Sequence, residues 1–346
     1  MNIIGWDIGG ANVKAAWLGM GLADCVRVAS QPFEIWREKD RLPDVLRSLT
    51  ARVMQDASPH AMAITMTAEL SDIFATKREG VLFVLSGIRN CFPNLPGYVL
   101  SISGEFVSLH EATTRPLEFA ATNWLASAQW VSRQFPNCLL VDVGGTTTDI
   151  LPILNGRVCV SGRTDTGRLA SGELVFTGAL RTNLAAIVQS APVGGRFCRV
   201  ASEYFAISGD VHLILGHLKP QDYTCPTPDG RPPSMNSARS RLAHLVCADA
   251  ETLSAAEIDD LARYVFERQV GQIRDGMCQA LSRLPNLRSH PVIVIGAGAF
   301  LGESAARTLG MEIQKLPAGW GREELAVAPC LAAAHLLAEY LRSETR

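Results

Sequence analysis

At 346 residues, 47% hydrophobic and 19% charged, the chain is long enough for two domains with real cores. Lys plus Arg (32) nearly cancels Asp plus Glu (34), and no basic stripe is interleaved with aromatics, so nucleic acid and acidic membrane surfaces are excluded as partners and small molecules are favoured. The nine cysteines are scattered without a C-x-x-C or a His-rich partner, which excludes a structural zinc and a disulfide framework and points to a reduced, cytoplasmic setting.

In chain order, residues 1–14 run directly into a strand with no basic leader, and no apolar run reaches the roughly 20 residues that a membrane span requires. The run Ile3-Ile4-Gly5-Trp6-Asp7-Ile8-Gly9-Gly10-Ala11-Asn12-Val13-Lys14 is a strand, an acid, a Gly-Gly turn, small polar residues and a returning strand. Such a bare tip lets main-chain N–H groups approach an anion, and a neighbouring carboxylate supplies a hard oxygen for Mg²⁺. Residues 41–54 follow with helical spacing.

Residues 61–72, Ala-Met-Ala-Ile-Thr-Met-Thr-Ala-Glu-Leu-Ser-Asp, form a short strand running into a polar cluster. Ligand crevices in open α/β sheets lie at the carboxyl ends of strands, so Thr65, Thr67, Glu69 and Asp72 are candidate substrate contacts. The competing reading makes Thr67 a helix cap and Glu69 a solvated side chain. Lys77 and Arg78 are either an anion clamp or a charged turn. Another strand is expected at 99–102, with Glu105 just beyond it. A single helix is expected from Pro116 to Pro136, carrying Trp124 and Trp130 as packing residues and Asn123 as a candidate polar contact.

The run at 139–153, Leu-Leu-Val-Asp-Val-Gly-Gly-Thr-Thr-Thr-Asp-Ile-Leu-Pro-Ile, repeats the first device. Gly144 and Gly145 form the tip, Thr146, Thr147 and Thr148 add hydroxyls, and Asp142 and Asp149 flank it. Two copies of Asp-x-Gly-Gly imply a duplicated domain, with lobes at 1–135 and 136–346 and the last helix able to pack back on the first lobe. The pair resembles the two phosphate loops of the actin-like ATPase fold, which implies a two-lobed α/β architecture.

Beyond the second loop, residues 161–174 read as a Gly-rich loop entering a helix near 174–184, either a plain linker or, through Arg163, Arg168 and Arg181, a source of forked phosphate donors. The Pro-rich stretch 221–237 is an excursion, read equally as a lid or an inert insertion. Ser254-Ala-Ala-Glu257 is a capping box opening a long amphipathic helix. Residues 291–301 give a buried strand, the turn Gly296-Ala297-Gly298, and a helix; in actin-like ATPases a turn of this kind near the C-terminus forms the nucleoside pocket. The Ala- and Leu-rich segment 328–341 is a core helix.

Several stretches go further than the fold. Residues 4–14, 65–72, 76–81, 141–150, 169–174 and 238–243 resemble the hydantoinase/oxoprolinase-related family linked to tetrahydromethanopterin C1 transfer, whose archaeal members are furanmethanamine synthases of methanofuran biosynthesis. Thr-Met-Thr-Ala-Glu-Leu is the most family-specific piece. The resemblance implies transfer of an aminomethyl-furanmethyl group from its diphosphate to the phenol oxygen of a tyrosine- or tyramine-type acceptor, in methylofuran assembly.

On that reading the glycine loops hold a substrate diphosphate, with Gly9, Gly10, Ala11, Asn12, Lys14, Gly144, Gly145, Thr146, Thr147 and Thr148 as its contacts. Asp7 and Asp142 are the Mg²⁺ ligands, and Thr65, Thr67, Lys77, Arg78 and Glu105 bind substrate. A base for the phenol, whose pKa is about 10, is drawn from Glu69, Glu105 and Asp149. A homodimer stays open. The alternative is an ATP-dependent kinase or amidohydrolase using the Gly296–Gly298 turn, and a third reading is a non-catalytic nucleotide sensor, which the acids Asp7, Asp142 and Asp149 disfavour.

Overall fold

The computed structural model describes residues 1–19, 25–54, 58–316 and 320–344. In chain order the first elements are β1 (Asn2–Ile8), β2 (Asn12–Gly19), β3 (Cys25–Pro32), α1 (Ile35–Glu38), α2 (Leu42–Val53), β4 (Ala61–Met66) and α3 (Lys77–Cys91). They are followed by β5 (Gly97–Leu100), β6 (Phe106–Ser108), α4 (Leu109–Ala112), α5 (Asn123–Ser132), β7 (Cys138–Val143), β8 (Thr148–Leu154), β9 (Arg157–Val158), α6 (Asp165–Ser171) and β10 (Leu174–Val175). The remainder is β11 (Ser190–Val193), β12 (Arg196–Arg199), α7 (Ser208–Ile214), α8 (Met235–His244), α9 (Ala255–Arg283), β13 (Val292–Ile295), α10 (Ala299–Thr308), β14 (Ile313–Gln314), α11 (Arg322–Ala326) and α12 (Ala328–Glu344). None of the described helices is long and apolar enough to cross a membrane.

The chain divides into two compact units, one of residues 1–137, 153–159 and 316–346, the other of 138–152 and 160–315. The first holds a six-stranded sheet in the order β3-β2-β1-β4-β5-β6, with β1, β4 and β5 parallel. Ile4, Trp6 and Ile8 face a core closed by α2 and α3. The opposite side of the sheet, with Ile3, Leu18, Ala61 and Ala63, is covered by Ala332–Ala334, Leu336 and Leu337 of α12. That packing is tight: a Cβ at Gly5 would run into the Cys330 carbonyl, so only a residue without a side chain lets the helix lie this close.

The second unit's sheet runs β10-β8-β7-β13-β14. The stretch β10-β8-β7-β13 repeats β3-β2-β1-β4: β13 lies parallel to β7 as β4 does to β1, and β10 antiparallel to β8 as β3 does to β2. Strands β1 and β7, which carry the two Asp-x-Gly-Gly motifs, occupy equivalent places, as a duplicated domain requires. A second core gathers Leu184, Val211, Leu242, Leu261 and Val265 from α7, α8, α9 and the segment before them.

Two sequence expectations are corrected, and a third, left open between a lid and an inert insertion, is narrowed. The single helix from 116 is two pieces, a 3₁₀ turn at Pro116–Phe119 and α5, broken at Ala121, whose φ of +50° is left-handed. No helix spans 174–184; those residues are β10 and an irregular strap, while the helix lies earlier, at α6. Residues 221–237 are pinned. Tyr223 is buried and its hydroxyl donates to Asp210 at 3.1 Å, and Arg241 bridges buried Asp210 (2.6 Å) to Asp229 (3.0 Å). A segment nailed to a buried ion pair at two points is not built as a lid, because opening it would strand charge in the interior.

Candidate functional site

Each unit presents its glycine loop at the carboxyl end of a central strand. In both loops the first glycine's N–H donates to the carbonyl three residues on, Gly9 to Asn12 and Gly144 to Thr147, each at 2.9 Å. Both loops are also strapped by the segment that follows the outer strand of the same hairpin. The Ile35 and Phe33 N–H groups donate to the Gly10 and Ala11 carbonyls (3.1 and 3.0 Å), while Ala179 donates to Gly144 and both Leu180 and Arg181 to Gly145, all at 2.9 Å.

In the first unit, β4 brings residues 65–72 against the loop. Thr67 N–H donates to the Ile8 carbonyl at 2.9 Å, and Cβ atoms built on Gly9 and Gly10 would meet Thr67 Oγ1 and Ser71 Oγ at 3.4 and 2.8 Å. Thr65 is buried and its hydroxyl donates to the Trp6 carbonyl at 3.0 Å, so it ties β4 to β1. Asp7 is buried and ion-paired with Lys14 at 3.5 Å. Burial, and after it the Asp7 charge, pushes the Cys330 thiol well above its ordinary value.

Glu69 is only 1% exposed, which overturns the solvated reading; Thr67 takes the cap position of the following 3₁₀ turn without a side-chain cap bond. The carboxylate is enclosed because α3 lies against its backbone: a Cβ on Gly80 would come within 2.5 Å of Glu69 Cα. Lys77 and Arg78 are not in a turn but in the first turn of α3, behind the Thr76 cap, whose oxygen accepts from Glu79 N–H at 3.2 Å. Glu105 is exposed in the tight turn after β5, one strand farther along the sheet. Asn123 starts α5, and Asp72 follows the 3₁₀ turn of Glu69.

In the second unit Asp142 is buried at the end of β7, opposite Ile295 of β13. The turn at Gly296–Gly298 folds onto it. Gly298 N–H donates to the Val143 carbonyl at 2.8 Å, and Gly296, at φ +92°, has no room for a Cβ beside Val143 O and Asp142 Oδ1. Ala297 is the middle of that turn. Thr146 and Thr147 are half-buried at the tip, whereas Thr148 is buried and its hydroxyl donates to the Thr177 carbonyl at 2.8 Å. Asp149 is held by buried Arg168 at 2.5 Å, which leaves it a neutralised partner before it is a base. Arg181 serves the loop through its main chain, its N–H donating to the Gly145 carbonyl.

Sequence reading missed two groups. Glu173, fully buried, accepts from Ser161 N–H (2.6 Å), Gly162 N–H (2.9 Å) and Ser171 Oγ (2.7 Å) and pairs with Arg283, fixing the turn that delivers Arg168 to Asp149. Gln269 of α9, also fully buried, reaches the strap behind the second loop. Its signal was a polar residue on the inward stripe of an amphipathic helix, between Val265 and Ile273.

For Mg²⁺, each loop offers one carboxylate, Asp7 or Asp142, beside main-chain amides. One or two carboxylates completed by phosphate oxygens and water is the usual Mg²⁺ donor set, so the residues fit a metal that arrives with a phosphate. Among the described residues no group of three or more His, Cys, Asp or Glu is arranged as an all-protein metal cage.

Comparison with known proteins agrees with this architecture. The chain is 12% identical to the ROK family glucokinase of Streptomyces griseus, solved with glucose and AMPPNP, over 97% of this chain and 99% of that one with a TM-score of 0.50. It is also 12% identical to the nucleotide-free acetone carboxylase structure, over 96% of this chain and 70% of that one, with a TM-score of 0.58. Such likeness defines the fold alone, and the fold is that of the actin-like ATPases. In sequence the chain is 34% identical, over 98% of both proteins, to the (4-{4-[2-(gamma-L-glutamylamino)ethyl]phenoxymethyl}furan-2-yl)methanamine synthase of Methanocaldococcus jannaschii. It is 40% identical to the Methanococcus vannielii protein of the same name over 136 residues, 39% of this chain and 61% of that protein. The hydantoinase/oxoprolinase profile matches residues 60–340, and the chain belongs to the hydantoinase/oxoprolinase family.

Proposed function

We propose that the protein is a transferase of methylofuran assembly, a methanofuran-type C1 carrier pathway, joining an aminomethyl-furanmethyl diphosphate to the phenol oxygen of a tyrosine- or tyramine-type acceptor. The observation that carries the reading is end-to-end similarity to a synthase whose product name contains a phenoxymethyl-furan ether. Two anion-binding glycine loops suit a substrate whose leaving group is a diphosphate as well as they suit ATP.

In the step proposed, the CH₂–O bond to the diphosphate breaks, and the diphosphate departs with the electron pair. The phenol oxygen forms the new C–O bond and its proton passes to a carboxylate. The furan ring stabilises positive charge at the CH₂ carbon. With the Gly9 and Gly144 N–H groups spent inside their loops, main-chain amides at 10–12 and 145–147 would serve as the anion donors, and preorganised donors of this kind are commonly worth several kcal/mol toward a departing anion. Mg²⁺ arriving with the diphosphate, for which Asp7 of the first loop and Asp142 of the second each offer a carboxylate, would neutralise diphosphate charge. Lys14, beside Asp7, and Lys77 and Arg78 at the start of α3 would supply positive charge for the diphosphate. Of the three candidate bases, Glu69 is favoured: Asp149 is engaged by Arg168 and Glu105 is exposed on a neighbouring turn.

The test is to incubate the protein with the furanmethyl diphosphate, Mg²⁺ and tyrosine, tyramine or its γ-glutamyl derivative, and to look for the ether by mass spectrometry. An ether with equimolar diphosphate is expected. One observation favours a second reading: the Gly296–Gly298 turn folds directly onto Asp142, as a nucleoside pocket beside a phosphate loop would. Phosphate release from ATP with no ether formed would move the function to a kinase or amidohydrolase.

A further inference from the structure

The second glycine loop is held in place by a strap, and one side chain of α9, Gln269, braces that strap from behind. Gly178 presses on the loop so closely that a Cβ there would lie 2.5 Å from Thr146 N. Gln269 Nε2 donates to the Gly178 carbonyl (2.8 Å) and to Thr177 Oγ1 (2.9 Å), and Thr148 Oγ1 donates to the Thr177 carbonyl (2.8 Å). Thr182 closes the strap on itself, its Oγ1 accepting from Gly178 N–H at 2.9 Å.

These contacts fix the direction of a longer chain. With its amide nitrogen committed to the strap, Gln269 presents Oε1 to His212 Nε2 at 3.0 Å, so His212 carries its proton on Nε2. His212 Nδ1 is then an acceptor, and His217 Nδ1–H donates to it at 3.4 Å. Both imidazoles pack on Phe300, with ring centroids 4.7 Å away, and Phe300 begins α10 immediately after the Gly296–Gly298 turn. One buried chain therefore joins α7, α9, the glycine turn and the loop.

We infer that Gln269, oriented by His212, is a positioning residue that sets the geometry of residues 144–148 for a diphosphate; this rests on the reading of that loop as a diphosphate cradle. A loop built from glycine and threonine has no side chains long enough to fix itself, and without the double donation from Gln269 the Thr177–Gly178 strap loses its only side-chain brace from α9 among the described contacts. The Gly178 carbonyl would keep only the longer bond from Thr182 Oγ1 at 3.3 Å, and the strap, and the loop with it, would lose its anchor to α9.

The experiment uses the full chain with inorganic diphosphate and Mg²⁺ as probe, followed by calorimetry, with amide hydrogen exchange at 144–148 read in parallel. Gln269→Leu is expected to weaken Mg²⁺–diphosphate binding about tenfold or more, the usual range for removing a supporting partner, and Thr177→Val about threefold. Both should speed exchange at 144–148. Leu261→Ala, on the same helix but in the core beneath it, controls for general destabilisation and should leave affinity and loop exchange at wild-type values. Equal affinity and equal loop exchange in Gln269→Leu and Leu261→Ala overturn the positioning role. If wild-type protein binds no diphosphate while Gln269→Leu still speeds loop exchange, the brace stands and the diphosphate reading falls; the positioning of a diphosphate falls with it.

Discussion

The two glycine loops share a motif, an internal hydrogen bond and a strap, yet they need their glycines for different reasons. At the first loop the protein itself fills the space: a Cβ at Gly9 would sit 2.9 Å from the Asn12 carbonyl. At the second, a Cβ on Gly144 or Gly145 would meet nothing nearer than 3.4 Å, an ordinary contact, and neither residue has a positive φ. Nothing within the second loop's surroundings demands glycine there. What a bare backbone provides is close approach by something from outside, whereas in the first loop it serves packing too.

The largest effect should come from closing the gap between strap and loop. Gly178→Ala drives a methyl into the Thr146 backbone, and we expect it to cost about 1–3 kcal/mol of stability and to abolish measurable diphosphate binding, checked by thermal melts and calorimetry. Asp142→Asn should remove Mg²⁺-dependent diphosphate release while leaving the melting temperature near that of wild type; full activity in this variant would sink the metal role given to Asp142. The comparison itself is sharpened by Gly145→Ala against Gly9→Ala. The first should melt like wild type yet bind Mg²⁺–diphosphate about tenfold less well, and the second should lose roughly 1 kcal/mol of stability before any effect on binding is considered.

A smaller effect separates the loops by acid. Burial, then the neighbouring His217, lowers the His212 pKa to about 3, so the folded second unit keeps this ring neutral where the unfolded chain protonates it near 6.5. The unfolded state therefore binds the extra proton, and the stability due to neutral His212 is intact above pH 6.5 and drains away as pH falls toward 3. His212→Asn should show a shallower decline of melting temperature over that window; parallel curves would mean that His212 does not titrate with unfolding.

How much of this was legible in the sequence depends on range. Both hairpins were, because Asp-x-Gly-Gly set between apolar runs is a local pattern, and the Ser254 box marked the start of α9 for the same reason. The strap at 174–184 was misread as a helix, since Leu174, Leu180 and Leu184 sit at spacings a helix tolerates. Its true conformation is dictated by carbonyls of Gly144 and Gly145, thirty-odd residues earlier, which need donors. The burial of Glu69 and the pairing of Arg168 with Asp149 were invisible likewise: each depends on a neighbour, α3 or the Glu173 turn, that no local pattern announces. The break at 120–122 came from a left-handed Ala121 that composition gives no hint of.

One consequence of the α12 packing concerns biogenesis. The β1–β4 sheet face with Ile3, Leu18, Ala61 and Ala63 waits for a cover supplied by residues 332–337, while the second unit draws on nothing beyond residue 315. During translation the later-made half can therefore settle first, and the earlier half must carry an uncovered greasy surface until residues 332–337 have been made. Chaperone dependence, and aggregation of chains cut short before residue 328, should follow that order of completion.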